Sequence, residues 1–236
     1  MISDPETQGI NTIQEKSIHV SLKAWYAQPG DRLEVKVDSF VVDIVREDLL
    51  IEIQTRNFSA LRGKLAALMV NYPVRLVYPV AEQHWIVKMD SESGCELSRR
   101  KSPKRGHIVH VFYELVSISL LATHPNFSLE VLLVHDEEIR CNDGKGSWRR
   151  KGWSICDRRL LAIIDRTIFL RPTDFVRLLP PALPDEFTTA DLAAGLNQPR
   201  ALAQKMTYCL RHMGLVDITN RRGNALVYRL SAADGA

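Results

Sequence analysis

The segment Phe40-Val-Val-Asp-Ile-Val-Arg-Glu-Asp-Leu-Leu-Ile-Glu-Ile-Gln54 predicts two short strands joined by a polar turn at Arg46-Glu-Asp48. Val, Ile and Leu dominate both strands, which is typical of strands that lie in a core. Each strand nevertheless carries one acid, Asp43 in the first and Glu52 in the second. Two carboxylates on adjacent strands repel each other, and their burial is unfavourable unless a cation pairs with them. This hairpin is therefore the leading candidate for an active site.

A divalent metal ion suits this pair of acids, because Mg2+ and Mn2+ bind carboxylate oxygens and water and can activate that water for attack. A second interpretation stays open, since hairpins on a protein surface commonly carry acids on their solvent-exposed face. Asp43 shares its face with two valines, whereas Glu52 shares its face with Leu50 and Gln54. A purely exposed face would carry more polar residues than these, which favours the metal site.

Periodicity and chain-breaking residues predict the elements around the hairpin. Ile13–Gln28 has apolar residues near helical spacing, and Pro29-Gly-Asp31 ends that helix. Leu33–Val37 alternates apolar and charged residues, which indicates a half-exposed strand. A second helix is predicted over about Asn57–Val70, followed by a buried strand over Pro73–Pro79. The predicted order is therefore helix, three-stranded meander, helix and strand.

This order, with Asp43 on its second strand and Glu52-Ile-Gln54 on its third, resembles the core of the PD-(D/E)XK nuclease superfamily. The resemblance covers about residues 12–80. It implies an α/β fold with a restriction-endonuclease-like αβββαβ core and a mixed sheet. It also implies that Asp43 and Glu52 hold Mg2+ or Mn2+ together with the Ile53 carbonyl, and that Glu15 of the first helix belongs to the catalytic set.

One position departs from the commonest pattern of that superfamily. Gln54 stands where a lysine is most frequent, although some members carry Gln there. A Gln side chain can orient the attacking water, but it cannot neutralise negative charge that develops on a phosphate. The resemblance therefore assigns Gln54 to the catalytic set as the residue that orients water.

The end of the chain resembles a small winged helix-turn-helix domain of the α+β class. Its predicted helices are a first one near Thr173–Leu179, a short one within Phe187–Leu196 and a longer one over Arg200–Met213, which Gly214 closes. The turn at residues 220–224 separates two predicted strands, Leu215–Thr219 and Ala225–Leu230. In this family the second helix of the motif enters the major groove and the wing contacts the DNA backbone. Many winged helices bind only proteins, so that alternative stays open.

The resemblance assigns DNA contacts to exposed residues of the long helix and to the tip of the wing. These residues are Arg200, Gln204, Lys205, Tyr208, Arg211, Arg221 and Arg222. Two basic segments earlier in the chain, both predicted to be loops, add candidates for phosphate contacts. Their cationic residues are Arg99, Arg100, Lys101, Lys104, Arg105, Arg149, Arg150 and Lys151. Trp148 and Trp153 beside the second segment could stack on bases or anchor the loop.

Composition predicts an ordinary globular chain. The 236 residues are 45% hydrophobic and 25% charged, with a net charge of only +3. The polar first dozen residues lack a secretory signal, and no apolar run is long enough to span a membrane. The four cysteines show no metal-binding spacing, so reduced thiols and a cytoplasmic location are predicted.

These patterns predict three segments. Residues 1–11 form a disordered tip, residues 12–172 the nuclease-like domain, and residues 173–236 the winged helix-turn-helix domain. Within the second, residues 81–172 are an extension in which we expect helices over Ile108–Ala122 and Asp157–Leu170. The sequence is compatible with a homodimer.

Together the two resemblances favour a metal-dependent DNA nuclease that cuts phosphodiester bonds with one domain and recognises DNA with the other. A catalytically inactive nuclease-like protein that binds DNA or regulates is the alternative. Gln54 in place of Lys favours the alternative, whereas the retention of both Asp43 and Glu52 favours the enzyme.

Overall fold

The computed structural model describes residues 17–231 of the chain. The helices are α1 (Ser17–Tyr26), α2 (Arg62–Leu68), α3 (Phe112–Leu115), α4 (Thr189–Leu196) and α5 (Arg200–His212). The strands are β1 (Arg32–Val37), β2 (Phe40–Arg46), β3 (Leu49–Ile53), β4 (Val74–Met89), β5 (Glu96–Lys101), β6 (Phe127–Cys141), β7 (Ser154–Phe169), β8 (Glu186–Thr188), β9 (Val216–Arg222) and β10 (Ala225–Leu230). The predicted disordered tip and Glu15 lie outside the described residues, as does the start of the first predicted helix.

The hairpin predicted within Phe40–Gln54 is present in the structure. Strands β2 and β3 pair antiparallel, with Ile44 opposite Ile51. Glu47 takes a positive φ of 52° in the two-residue turn between them, a conformation that tight hairpin turns require. The paired register ends at Ile44 and Ile51, and beyond it the Asp43 carboxylate accepts the Ile53 N–H.

The main sheet is mixed, and its strand order is β1-β2-β3-β4-β6-β7 with β5 on the outer half of β4. Strands β1 to β3 form the antiparallel meander. Strand β4 then runs parallel to β3, which requires a crossover, and α2 lies in that connection. The predicted α/β class, the mixed sheet and the order of helix, meander, helix and strand are therefore confirmed.

Helices cover both faces of the first strands. On one face, Ile18 and Leu22 of α1 pack with Ile44, Ile51 and other apolar residues of the sheet. The opposite face packs against a larger core that includes Leu65 of α2. Because β2 and β3 are covered on both sides, their sequences are almost continuously apolar.

The structure corrects two predicted helices in the extension. Residues 157–169 of the predicted helix Asp157–Leu170 belong instead to strand β7, which pairs with β6 along its length. Their basic and apolar residues suit either period, and pairing with β6 decides the outcome. Residues 108–122 form the short helix α3 between two 3-10 turns, Ile108–Val111 and Leu121–Thr123, rather than one continuous helix.

The first basic segment was predicted to be a loop, but part of it forms a strand. Arg99, Arg100 and Lys101 lie on strand β5, which pairs antiparallel with β4. Lys104 and Arg105 follow in a connection that returns towards the sheet, where Gly106 donates its N–H to the Ala81 carbonyl at 2.8 Å. The strand predicted over Pro73–Pro79 is the start of β4, which extends to Met89. The outer half of β4 pairs with β5 and so makes this basic segment part of the sheet.

The C-terminal unit consists of β8, α4, α5, β9 and β10, with a three-stranded sheet in the order β8-β10-β9. Thr188 caps α4 by accepting hydrogen bonds at its Oγ1. The Asp191 carboxylate in turn accepts a hydrogen bond from the Thr188 N–H at 2.8 Å. Gly214 follows α5 with a φ of 71°, as expected for a helix that ends at a glycine. The predicted first helix is instead a 3-10 helix over Pro172–Leu178.

The two parts of the chain share one hydrophobic core. Phe112 of α3 and Phe175 of the connecting 3-10 helix are both buried, with ring centroids 6.0 Å apart. The same cluster contains Met206 and Leu210 of α5 together with residues of the main sheet. The C-terminal unit is therefore packed against the α/β part through this shared core. None of the helices within residues 17–231 combines the length and apolar character needed to cross a membrane.

The cysteines differ from the predicted reduced state. Cys141 and Cys156 form a disulfide between β6 and β7, with their Cα atoms 6.0 Å apart. The antiparallel register places Cys141 opposite Ser154, which brings the two thiols together although they are 15 residues apart in sequence. Cys95 and Cys209 are free thiols, and burial raises the pKa of Cys209 to about 12.

Candidate functional site

Asp43 is held by both its neighbouring strand and helix α1. Its Oδ2 accepts a hydrogen bond from the Ile53 N–H at 2.8 Å and lies 3.3 Å from Nε2 of His19. Burial by itself would raise the pKa of Asp43, but the bonds from His19 and Ile53 outweigh it and leave the pKa lowered. Asp43 is therefore a carboxylate that stays ionised inside the fold.

Glu52 has the opposite electrostatic behaviour. Burial, followed by repulsion from the Asp43 carboxylate, raises the pKa of Glu52 to about 7, which the cation of Lys64 only partly opposes. Its Oε1 is buried and in ion-pair contact with Lys64 Nζ, but accepts no aligned hydrogen bond. The two acids are therefore electrostatically coupled.

Lys64 and His19 belong to the site although sequence reasoning assigned them no role. Lys64 projects from α2 and contacts Glu52 and the Val41 carbonyl. His19 lies on α1, with Nε2 2.9 Å from the Ile53 carbonyl oxygen. Both lie on helices that flank the hairpin. The one feature of the sequence that could have indicated a role for them is their position one to three turns into the predicted helices.

Gln54 lies at the end of β3, where its N–H donates to the Val77 carbonyl at 2.9 Å. Its side-chain amide donates to the Arg56 carbonyl and, at 3.3 Å, to that of Asn57. The amide nitrogen therefore stabilises the turn that leads into α2. Glu15, the fourth member of the predicted set, lies outside the described residues.

The oxygens at this site suit a hard divalent cation. Asp43 and Glu52 offer carboxylate oxygens and Ile53 a carbonyl oxygen, the ligand types that Mg2+ and Mn2+ prefer. A divalent cation would relieve the repulsion between the acids, and it would share Oε1 of Glu52 with Lys64 Nζ, which already contacts that oxygen. Within residues 17–231 no cluster of three or more His, Cys, Asp or Glu side chains is arranged to hold a metal. Any cation bound here would therefore take its remaining ligands from water, as Mg2+ usually does.

Most of the residues predicted to contact DNA in the C-terminal unit are exposed. Arg200, Gln204, Tyr208 and Arg211 are exposed and recur at three- to four-residue spacing along α5, whereas Lys205 is half-buried. Arg221 and Arg222 are exposed at the tip of the β9–β10 hairpin. Towards the end of α5, the His212 ring packs tilted against Tyr208 with centroids 4.0 Å apart, and its Nδ1 lies 3.2 Å from Ser119 Oγ.

The predicted basic segments lie on the outer half of the main sheet. Arg99 pairs with Glu137 at 3.4 Å, and both Arg99 and Lys101 lie over the Trp85 ring. Arg149, Arg150 and Lys151 lie in the loop between β6 and β7, where Arg149 and Lys151 are exposed and Arg150 is half-buried.

The raised pKa of Glu52 predicts a pH-dependent stability in metal-free buffer. A folded-state pKa of about 7 against an ordinary 4.5 means that ionisation opposes folding. The contribution is fully present below pH 4.5 and is lost as the pH rises to 7, by about 3 kcal/mol. Denaturant unfolding at pH 4 and pH 8 should show this loss in the wild type but not in Glu52→Gln. Equal pH dependence in the two proteins would contradict the assignment.

Comparison with known proteins gives a family without a described activity. A family profile described as a domain of unknown function (DUF8091) matches residues 16–170. The chain is 33% identical over 224 residues to an uncharacterized protein of Treponema pallidum (strain Nichols), an alignment that covers 93% of this chain and 87% of that protein. No solved structure gives a significant match. The profile contains Asp43, Glu52 and the whole main sheet, and the chain belongs to the DUF8091 family.

Proposed function

We propose that this protein is a metal-dependent DNA nuclease that hydrolyses phosphodiester bonds and recognises DNA through its C-terminal unit. The observation that carries the proposal is the coupled carboxylate pair. Asp43 is held ionised, whereas Glu52 beside it has a pKa raised to about 7. Neighbouring acids whose pKa values are shifted in opposite directions are characteristic of catalytic sites. The pair also lies on the second and third strands of an αβββαβ arrangement, which is where the resemblance to PD-(D/E)XK nucleases predicts it.

In this proposal Asp43, Glu52 and the Ile53 carbonyl hold Mg2+ or Mn2+, which would supply an activated water and a Lewis acid for the phosphate. Lys64 would lie beside the reacting phosphate and stabilise its developing negative charge. His19 keeps Asp43 ionised and orients it, since its Nε2 lies near both Asp43 and the Ile53 carbonyl. Gln54 would position water only after releasing its contacts with the following turn.

The surface of the C-terminal unit supports DNA as the substrate. The order of β8, α4, α5, β9 and β10, with the strands arranged β8-β10-β9, is the arrangement expected of a winged helix. Its long helix exposes a row of polar and cationic residues, and its hairpin tip exposes two arginines. A helix in the major groove and a cationic wing on the backbone would use these two surfaces.

The alternative, an inactive nuclease-like protein that binds DNA or regulates, has one observation in its favour. Lys64 and His19 already compensate the charges of Glu52 and Asp43, so the pair can be stably buried with no metal bound. In that case the hairpin would be a scaffold element, and function would rest on the basic surfaces.

Metal binding is the direct test of the proposed site. We expect Mn2+ to bind the wild-type protein and Asp43→Ala to weaken that binding by about 100-fold or more, since even loss of a supporting residue costs 10- to 100-fold. Isothermal titration at pH 8, where Glu52 is ionised, measures the affinity. Circular dichroism checks that the variant is folded.

Asp48→Asn is the matched control, because Asp48 is exposed in the turn of the same hairpin. It removes one acid without touching the site and should bind Mn2+ as the wild type does. Equal Mn2+ affinity of the wild type and Asp43→Ala would exclude the metal site, and with it the proposed mechanism.

A further inference from the structure

The loop between β6 and β7, residues 142–153, presents an indole to solvent at its tip. Trp148 is 83% exposed, which exceeds every other large apolar side chain in the part of the chain that the structure describes. Exposure of an aromatic ring of this size is unfavourable in water, and aromatic side chains are normally at least half-covered. A binding role would explain why the ring is kept outside the fold.

The loop is built so that this ring stays outside. Gly146 N–H donates to the Gly152 carbonyl at 3.1 Å, and Gly152 N–H donates to the Ser147 carbonyl at 3.3 Å. Arg150 Nε donates to the Trp153 carbonyl at 3.1 Å. A Cβ at Gly146 would lie 2.1 Å from the Trp153 carbonyl carbon, so the close approach requires glycine. These bonds make a preformed cap with Trp148 on its outer side, which lowers the entropic cost of binding.

The charges around the ring identify the kind of partner. Arg149, Arg150 and Lys151 follow Trp148 directly, and none of them forms an ion pair within residues 17–231. Lys145 adds a fourth cation to the loop, and Asp143 is its one acid. Arg149 lies 5.5 Å from the Trp148 ring, close enough for the guanidinium and the indole to contact one ligand. An aromatic face flanked by cations that lack acidic partners matches a base flanked by phosphates.

Trp153, the second tryptophan of the loop, has a structural role and serves for comparison with Trp148. Trp153 is half-buried, with Lys88 Nζ lying 4.5 Å from its ring centroid. It closes the base of the loop against β4, so its aromatic face is already occupied. Arg149 lies over one face of the Trp148 ring, but the 83% exposure of this side chain leaves its other face open to a ligand, unlike the half-buried Trp153.

We propose that this loop binds a single-stranded segment of nucleic acid, with Trp148 stacked on an unpaired base and Arg149, Arg150 and Lys151 on the neighbouring phosphates. A single strand is the fitting form, because the bases of a duplex are covered by their neighbours and offer a free face only at a flap, a gap or an end. The inference rests on the proposed function in supposing that the chain acts on DNA. It adds that the substrate carries an unpaired region.

The test compares two DNA probes of equal length, about 20 nucleotides, one single-stranded and one a blunt duplex, by fluorescence anisotropy in EDTA. Trp148→Ala should weaken single-strand binding by about tenfold or more, while duplex binding changes by less than about twofold. Trp148→Phe should retain most of the affinity. Trp25→Ala is the matched control, since Trp25 is 47% exposed on α1, and should leave both affinities unchanged.

The charges are tested separately. Joint replacement of Arg149, Arg150 and Lys151 by Ala should reduce the slope of log affinity against log salt for the single strand by about 2, as expected for three phosphate contacts. A slope equal to that of the wild type would overturn the phosphate contacts.

Three results would overturn the stacking role of Trp148. These are failure of the wild type to bind the single strand, unchanged binding by Trp148→Ala, and an equal loss on both probes. Since EDTA prevents metal-dependent cleavage, an absence of nuclease activity would leave the single-strand result intact. Failure of the loop and failure of the catalytic site are therefore distinguishable.

Discussion

Glu52→Gln is expected to lower the rate of DNA cleavage in Mg2+ by about a thousandfold or more, because metal ions contribute several kcal/mol of transition-state stabilisation. DNA affinity should stay near that of the wild type or rise slightly, since one carboxylate that repels phosphate is removed. Gel assays of cleavage and anisotropy measurements of binding, on the same duplex and branched substrates, separate the two effects. Asp48→Asn, in the exposed turn of the same hairpin, serves as the control.

Substitution of Lys64 provides a second test of the proposed catalytic site. Lys64→Ala should slow cleavage by about 100-fold through loss of charge stabilisation. If Lys64 replaces the lysine that is commonest at position 54, then Gln54→Lys should restore much of that rate in the Lys64→Ala background. The enzyme hypothesis fails if neither the wild type nor Gln54→Lys cleaves duplex, single-stranded or branched DNA while DNA binding is measurable. The inactive DNA-binding alternative would then stand.

Phe112→Ala is expected to destabilise the whole chain by about 3–5 kcal/mol, the usual cost of removing a buried aromatic ring. Phe112 lies in the core that the main sheet shares with α5. Both parts should therefore lose stability together, and the wild type should unfold in one transition. Tryptophan fluorescence reports on the α/β part, which contains all four tryptophans. Hydrogen exchange of the α5 amides reports on the C-terminal unit.

Val70→Ala provides the comparison, because Val70 is 70% exposed and its truncation should change stability by less than about 0.5 kcal/mol. Two separate transitions, with Phe112→Ala shifting only the first, would contradict a shared core. That result would mean that the C-terminal unit folds independently of the sheet against which it packs.

The local sequence pattern predicted the correct helix or strand wherever a single hydrophobic period dominated. The apolar strands on either side of the Glu47 turn, the helix that Gly214 closes and the order of elements up to β4 all follow from short-range signals. Their apolar residues suit only one kind of element, and polar turn residues, glycine or proline mark where the elements end.

The extension was less predictable because its residues suit more than one structure. Asp157–Leu170 carries basic and apolar residues compatible with either a helix or a strand, and pairing with β6 makes it a strand. The disulfide between Cys141 and Cys156 likewise depends on the register of β6 and β7, which cysteine spacing does not reveal. Long-range strand pairing, rather than propensity, decides such segments.

The sequence alone determined that two acids lie on adjacent apolar strands, because alternation and the tight turn at Glu47 place them there. Only the tertiary structure decided what surrounds those acids. Lys64 and His19 come from helices on opposite sides of the sheet, and their contacts set which carboxylate stays ionised. A pKa depends on burial and on charges brought together by folding, and neither quantity is encoded in a short stretch of sequence.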